Sequence, residues 1–398
     1  MWKTTNRVAV IHATGTGKSH IILKTILDFN NKNILVVDPN TFILKKLQED
    51  APWITNTANL ITYSRLLRIT EDGMKNMKLD LIILDEFHRC GAKKWGIRVK
   101  DLLNIHSSAF VLGTTATPKR ALDNNRDMSD EIFSGRIASK LSLAEAISKG
   151  ILPNPKYITS LYSLDNEIEK LGQKIESVFS DKEDYDKKTE LKDKIFKCRI
   201  NWNNSSSIPK ILGKYLDDSC TKFIIFCEDT QHLRSMSYTV LSWFEDWQDK
   251  YTISKRKKRV KTYSVATNFD NNDKEFYEFV HNNDNHTINL LFCINMLNEG
   301  VHVKGIDGVI LLRRTQSPIV FYQQIGRALS IDNKSPLIFD FVNNFLNIKV
   351  ASNFFKELNT EIINEENRRS QLGIAYDKPC ILINNETKNV IEIFNNIE

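Results

Sequence analysis

Gly15, Gly17, Lys18 and Ser19 stand together in the run HATGTGKSH, residues 12 to 20. Glycine at the first two positions lets successive backbone N–H groups converge on an anion with no Cβ in the way. Thr14 and Thr16 flank the first glycine, and Lys18 brings a mobile ammonium. Such a set suits a chain of phosphates. Backbone donors would hold the inner groups, Lys18 the β- and γ-phosphates, and the Ser19 hydroxyl a Mg²⁺ ion. The generic pattern G-x-x-x-x-G-K-[ST] has glycine where this chain has His12, so the match rests on G-K-S and its surroundings. A second group follows in LIILDEFHRC, with Asp85, Glu86 and His88. A carboxylate at the C-terminal end of an apolar strand can hold Mg²⁺ opposite a phosphate loop, and the acid beside it can take a proton from an attacking water. Read alone, the same two acids would equally cap a following helix. With the phosphate loop upstream, metal ligand and base are the better reading.

Both groups need rigid elements behind them. RVAVIH, residues 7 to 12, is a β-branched run that reads as a buried parallel strand. After the glycine turn, KSHIILKTILDF places Ile21, Ile22, Ile26 and Leu27 at helical spacing. Strand, turn and helix are the context a phosphate loop requires, and the helix N-terminus adds partial positive charge. LIIL, residues 81 to 84, is a fully apolar strand that ends on Asp85.

The two groups, ATGTGKS and DEFH, resemble motifs I and II of the superfamily 2 helicases and translocases, DExH branch. Further stretches resemble the remaining motifs in family order. VVDPN (36–40) is similar to motif Ia, ITYSRL (61–66) to Ib, GTTATP (113–118) to III and FIIFCED (223–229) to IV. MLNEGVHVKGIDGVILLR (296–313) is similar to motif V and YQQIGRALS (322–330) to motif VI. Within the superfamily, the pattern is nearest the type III restriction Res-subunit group, and it covers residues 7 to 345. The resemblance implies an α/β fold of two tandem RecA-like P-loop NTPase domains, each a mainly parallel sheet flanked by helices. ATP and Mg²⁺ would lie in the cleft between them.

Carried over residue by residue, the resemblance assigns nucleotide contact to Thr14, Gly15, Thr16, Gly17, Lys18, Ser19 and Gly300. The metal falls to Ser19 and Asp85, and the catalytic base to Glu86. Arg327, from the second domain, would meet the γ-phosphate when the cleft closes, and Gln323 would pair with His88 across it. Backbone contacts to nucleic acid fall to Pro39, Asn40, Thr41, Thr62 and Ser64 in the first domain, with Asn298 and Glu299 in the second. Three departures stand out. Ser330 occupies the place of a second motif VI arginine, and a hydroxyl cannot supply a guanidinium charge. His302 replaces an acidic residue in motif V. Few residues precede the first strand, so the adenine contact is expected from another segment, and ATP itself follows from the resemblance.

The remaining sequence fits around these motifs. The chain has 398 residues, more than one core usually serves, and two domains are expected. Apolar runs NILVVD, NLITY and AFVLGTTA extend the first sheet. We place the first domain at residues 1–150, a linker and helical hairpin insertion at 151–207, the second domain at 208–360 and a tail at 361–398, which reads as a truncated module. The hairpin reading rests on apolar stripes such as Ile168, Leu171, Ile175 and Val178. It suits either an insertion packed on the core or an element that docks a partner. KFIIFC, KTYSVAT, INLLFCI, GVILLR and PLIFDF supply strands for the second sheet.

The net charge of +6 permits a polyanionic partner without demanding one. SKRKKRVKTY, 254–263, is the densest basic run and suits either phosphate contact or a solvated loop. The six cysteines are scattered without a C-x-x-C pair and read as reduced thiols of a cytoplasmic protein. No apolar run reaches the length that spans a bilayer. The expected function is an ATP-dependent helicase or translocase on nucleic acid, DNA foremost and RNA left open. Two alternatives stay open: a nucleotide-gated binding or loading module with little unwinding, and the motor subunit of a restriction or defence complex with a methyltransferase or nuclease partner.

Overall fold

Strands that are apolar throughout must be covered on both faces, and in this chain they are. In the computed structural model, the six strands of the first sheet run parallel, with every residue of β2 (Ile34–Asp38) and β4 (Leu81–Asp85) buried. The structure describes residues 4–120, 126–160, 188–190, 192–193, 208–252, 257–266, 269, 271–294, 303, 305–315, 318–329, 336–342, 344, 349–379 and 383–385. The first sheet has the order β3-β2-β4-β5-β1-β8, with β1 (Arg7–His12), β3 (Ala58–Thr62), β5 (Phe110–Thr115) and β8 (Ile137–Leu141). A two-stranded antiparallel ribbon, β6 (Lys119–Arg120) with β7 (Arg126–Asp127), stands beside it. Alternation sorts the side chains. Leu35, Val37, Ile82 and Leu84 pack on one face, Ile34, Val36, Leu81 and Ile83 on the other.

The helices are placed by the strand ends. α1 (Lys18–Asp28) follows the β1 turn and buries Ile22 and Ile26, while Leu27 stays half-exposed. α2 (Thr41–Asp50) is capped by Asn40, whose side chain accepts from Ile43 N at 3.1 Å. α3 (Tyr63–Leu66) is capped in the same way by Thr62, which accepts from Arg65 N at 3.1 Å. α4 (Glu71–Asn76), α5 (Lys93–Ile105), α6 (Met128–Phe133) and α7 (Leu143–Ser148) complete the first domain.

The second sheet is parallel throughout, in the order β11-β12-β10-β13-β14-β9-β15. Its central strands, β10 (Lys222–Phe226), β12 (Thr287–Cys293), β13 (Gly308–Leu311) and β14 (Leu337–Asp340), are buried along their whole length. β11 (Arg259–Val265) forms one edge. β9 (Lys156–Thr159), from the stretch read as linker, escapes the sequence reading and joins this sheet, as does β15 (Ile383–Asn385), in the KPCILINN stretch of the tail that reads from sequence as strand and Asn-rich turn. Helices α8 (Ile208–Tyr215), α9 (Thr230–Tyr251), α10 (Asn272–His281), α11 (Pro318–Ile325) and α12 (Lys349–Gln371) flank it. The expected hairpin lies outside the described residues, except for 188–190 and 192–193, which are helical. Cys90, Cys220, Cys227 and Cys293 are buried free thiols, and burial pushes the first three up to about 12.

Candidate functional site

The turn after β1 has the backbone that its glycines permit. Gly15 and Gly17 sit at φ +86° and +89°, in the left-handed region. Thr16 Oγ1 donates to Ala13 O at 2.7 Å and tightens the loop. Lys18 opens α1, and its Nζ donates to His12 O at 3.1 Å and lies 3.8 Å from Glu86 Oε1. Ser19 is exposed on the first turn of α1. His12, in place of a glycine, turns its side chain outward so that Nε2 meets Ser139 Oγ at 2.7 Å. Burial and then Lys18 push the His12 imidazole below its usual range.

The carboxylates are fixed by neighbouring strands. Asp85 ends β4, and its Oδ1 accepts from the Thr114 hydroxyl and from Glu86 N at 3.0 Å. Tyr63 OH, at the start of α3, donates to Asp85 O at 2.9 Å and pins the strand end. Glu86 adopts φ +46°, a strained conformation for a residue with a Cβ, of a kind that costs about 1–3 kcal/mol. Its side chain accepts from Thr115 Oγ1 at 3.0 Å. His88 Nδ1 lies 3.0 Å from Thr115 Oγ1 and 3.3 Å from Glu86 Oε2. Burial pushes Asp85 up to about 6, with the Glu86 charge adding to it. Burial acts on Glu86 in the same direction, yet Lys18 and His88 outweigh it and hold the carboxyl well below its ordinary range. A third acid joins them. Asp38 is fully buried at the end of β2, next to Asp85 across the β2–β4 pairing. Its pKa is raised well above the usual carboxylate range, first by burial and then by the Asp85 charge.

Motif VI closes over the loop from the second domain. A methyl on Gly15 would collide with the Leu329 carbonyl, and one on Gly326 would sit 3.0 Å from Thr14 Cβ. Arg327, the next residue after Gly326, is buried, as are Gln323 and Gln324 of α11. The chain thus brings Lys18, Asp85, Glu86, His88 and the backbone flanking Arg327 to one cleft. Asn298, Glu299, Gly300, His302 and Ser330 lie outside the described residues.

Beside β3 runs an open groove of about 480 Å³, lined by Thr41, Leu44, Leu60, Ile61, Thr62, Ser64, Arg65 and Arg68. It gathers three of the sequence-predicted backbone contacts, Thr41, Thr62 and Ser64. Pro39 and Asn40 are half-buried at its edge, where Asn40 is spent on capping α2. Asp38, Tyr63, Thr114, Arg65 and Arg68 were not singled out from sequence. Thr114 and Thr115 sit inside GTTATP, and only the β4–β5 register shows that their hydroxyls serve Asp85 and Glu86.

Two family models match the chain. One, described as type III restriction enzyme, res subunit, matches residues 2–59 and 53–120. The other, the helicase conserved C-terminal domain, matches residues 206–332. The type I restriction enzyme EcoAI endonuclease subunit of Escherichia coli is 23% identical over 369 residues, which are 83% of this chain and 42% of that protein. Among solved structures, the ATP-dependent type ISP restriction-modification enzyme LlaBIII bound to DNA superposes with a TM-score of 0.58 at 15% identity, covering 100% of this chain and 31% of the other. S. cerevisiae Dbp5 bound to RNA and ADP BeF3 gives a TM-score of 0.54 at 12% identity, covering 98% of this chain and 88% of Dbp5. Two parallel-sheet domains with a phosphate loop on the first define a tandem RecA-like fold. The first part of the chain is similar to the type III restriction Res subunit and the second to the helicase C-terminal domain, the pattern of a Res-subunit-like superfamily 2 helicase. The chain spans less than half the length of the two restriction enzymes just named.

Proposed function

We propose that the chain is an ATP-dependent nucleic-acid helicase or translocase, acting foremost on DNA, in which hydrolysis in the interdomain cleft drives domain motion. The observation that carries this reading is the placement of Lys18 between the phosphate loop and Glu86, with Asp85 locked alongside. The nucleotide fits the loop because both glycines have the left-handed backbone that aims N–H groups inward. The metal fits because Asp85 and Glu86 are buried side by side with one ammonium, Lys18, 3.8 Å from Glu86, and a divalent cation would offset the remaining negative charge. Asp85 and Ser19 would hold it. Mg²⁺ would neutralise charge on the β- and γ-phosphate oxygens.

The protein's own groups do the rest. Lys18 leaves Glu86 for the phosphates. Freed from that ammonium, Glu86 regains basicity, and its carboxylate takes a proton from the water aligned on the γ-phosphate. Thr115 and His88 hold it in place. Arg327 arrives with the second domain and stabilises charge in the transition state, while Gln323 meets His88 across the cleft.

Substitution separates these roles. Lys18→Ala is expected to abolish turnover, and Glu86→Gln to bind ATP without hydrolysing it, a loss of about 10²-fold or more. Steady-state ATPase near the parent rate in either variant contradicts the assignment.

A second reading, a nucleotide-gated loading module with little unwinding, is favoured by Ser330 in place of the second motif VI arginine. Strand displacement measured beside ATPase separates the two. The restriction-enzyme relatives support a motor role in a defence complex with a methyltransferase or nuclease subunit. No described helix is long and apolar enough to cross a membrane, and we place the protein in the cytoplasm.

A further inference from the structure

We infer that His12 is a positioning residue of the nucleotide site that takes up a proton as the triphosphate draws Lys18 off its carbonyl, so that the site holds nucleotide more tightly as the solution becomes more acid. The inference rests on the nucleotide reading above. It gives a task to the residue at which the loop departs from the generic pattern. That pattern has glycine at this place, yet the left-handed residues of the loop are Gly15 and Gly17, and His12 is not among the residues with positive φ. Its backbone conformation therefore does not demand glycine.

The imidazole is tied at one nitrogen and untied at the other. Nε2 lies 2.7 Å from Ser139 Oγ on β8. Nδ1 is buried and has no hydrogen-bond partner among the described residues. With Nε2–H donating to Ser139, Nδ1 carries the lone pair and is the atom that a proton joins. The main chain is held on both sides of the ring. Ala13 N donates to Leu141 O at 2.9 Å, and His12 O accepts from Lys18 Nζ at 3.1 Å. So the ammonium that would serve the phosphates rests on the same residue as the untied nitrogen.

The surrounding charges set the sign. Lys18, from α1, disfavours the imidazolium, as burial does, and Glu145, from α7, favours it more weakly. Glu145 is itself matched by Lys149. β5, on the other side of β1, carries no ionisable side chain. Lys140 of β8, His20 of α1 and Asp130 and Glu131 of α6 are exposed, and Glu131 is paired with Arg126. When Lys18 moves to phosphate oxygens, the positive charge beside the ring gives way to the net negative charge of the nucleotide. Both changes favour the imidazolium. By reciprocity, the protonated site binds nucleotide more tightly, and affinity rises as pH falls through the ordinary histidine range near about 6.5.

The test is calorimetry of the full chain with Mg²⁺ and a non-hydrolysable ATP analogue at about pH 6, in two buffers of different ionisation enthalpy, which counts the protons taken up on binding. The terminal phosphate titrates in the same range, but that contribution is common to parent and variant. The parent should take up about a third to half of a proton more than His12→Gln. Its ratio of affinities between about pH 5.5 and about pH 8 should exceed the variant's by about two- to fivefold. Ser139→Ala removes the tether and keeps the imidazole, so it should keep the uptake, whereas a merely structural role would move affinity without moving the proton count. Equal uptake in parent and His12→Gln overturns the inference and leaves the nucleotide reading standing. If the parent does not bind the analogue at either pH, both fall. Should His12→Gln not fold, the histidine NMR signals of the parent decide. The one that Ser139→Ala perturbs must titrate at higher pH with the analogue than without it, and no such rise overturns the inference.

Discussion

Asp38 shows how one carboxylate can be both structural and costly. Its Oδ1 accepts from Asn40 N at 3.1 Å, which shapes the turn into α2, but its Oδ2 receives no donor. The side chain is fully buried beside Asp85, so the charged form is disfavoured in the fold. A carboxyl raised in this way destabilises the native state once pH passes the unfolded value near 3.9, and the penalty grows until the native value is reached. Asparagine keeps the acceptor for Asn40 and carries no charge. Asp38→Asn is therefore expected to stabilise the metal-free first domain at pH 7 to 8, read as a rise in melting temperature. The difference should vanish below pH 4, where both side chains are neutral in both states. Thermal melts across pH check this, and a constant difference at all pH values would remove the charge explanation. Asp38 was invisible as a site in the sequence. VVDPN looks like any strand that ends in a polar turn, and only the order β3-β2-β4 sets its last residue against motif II. Lys18, Asp85 and Glu86 were legible for the opposite reason, because their spacing from glycines and from an apolar strand is fixed locally.

Among the elements, α2 carries two jobs on adjacent stripes. Thr41 and Leu44 line the groove, while Phe42 and Lys45 turn toward the second domain. Phe42 meets Phe276 of α10 edge to face, with ring centroids 5.4 Å apart. Lys45 reaches Asp273, but both partners are more than 60% exposed, at 62% and 66%. The aromatic contact should therefore dominate. Phe42→Ala is expected to shift the balance toward separated domains by about 1 kcal/mol, roughly fivefold, whereas Lys45→Ala shifts it by less than about 0.5 kcal/mol. A fluorophore pair spanning α2 and α10 reads the distribution directly, and a larger effect from Lys45 would reverse the ranking. α3 makes a similar double connection, since Tyr63 pins Asp85 O while Ser64 and Arg65 face the groove. None of this follows from periodicity. Helical spacing says which face of α2 is apolar, and the sequence alone cannot tell whether that face meets its own sheet or a second domain.

Across the whole molecule, the two halves share more surface than a simple cleft requires. One apolar cluster runs from Val36 and Ile83 of the first sheet through Leu152 and Tyr157 to Ile224 and Leu311 of the second. α12 reaches back to α7, where Tyr376 OH donates to Ser148 O at 2.8 Å and Arg369 stacks on Tyr376. Most strands of both sheets were legible as apolar runs, but β8 and β9 were not. They are short, and they gain their place only by pairing, β8 with β1 and β9 with β14 and β15. The glycines are the finest case. In sequence, Gly15 reads as a phosphate-loop residue and Gly326 as part of Q-x-x-G-R. In the fold they also interdigitate, with Gly15 under Leu329 O and Gly326 against Thr14. Space for a methyl is missing at both places, so close approach of the domains depends on hydrogen at both Cα atoms. Gly15 is compromised as a test, because its φ of +86° and its place in the loop would confound the result. Gly326 is not, since it lies on the second domain, away from the phosphates' own cradle. Gly326→Ala must shift against Tyr322 O of α11, 2.8 Å from the added methyl, and against Thr14 Cβ at 3.0 Å across the domains, and a shift of about 1 Å in catalytic geometry can cost about 10²-fold in rate. Turnover should fall by that order while the melting temperature stays within a few degrees of the parent, and small-angle scattering with a non-hydrolysable nucleotide should show a more extended particle. Parental turnover in this variant would mean that hydrolysis does not need the contact between motif VI and the phosphate loop.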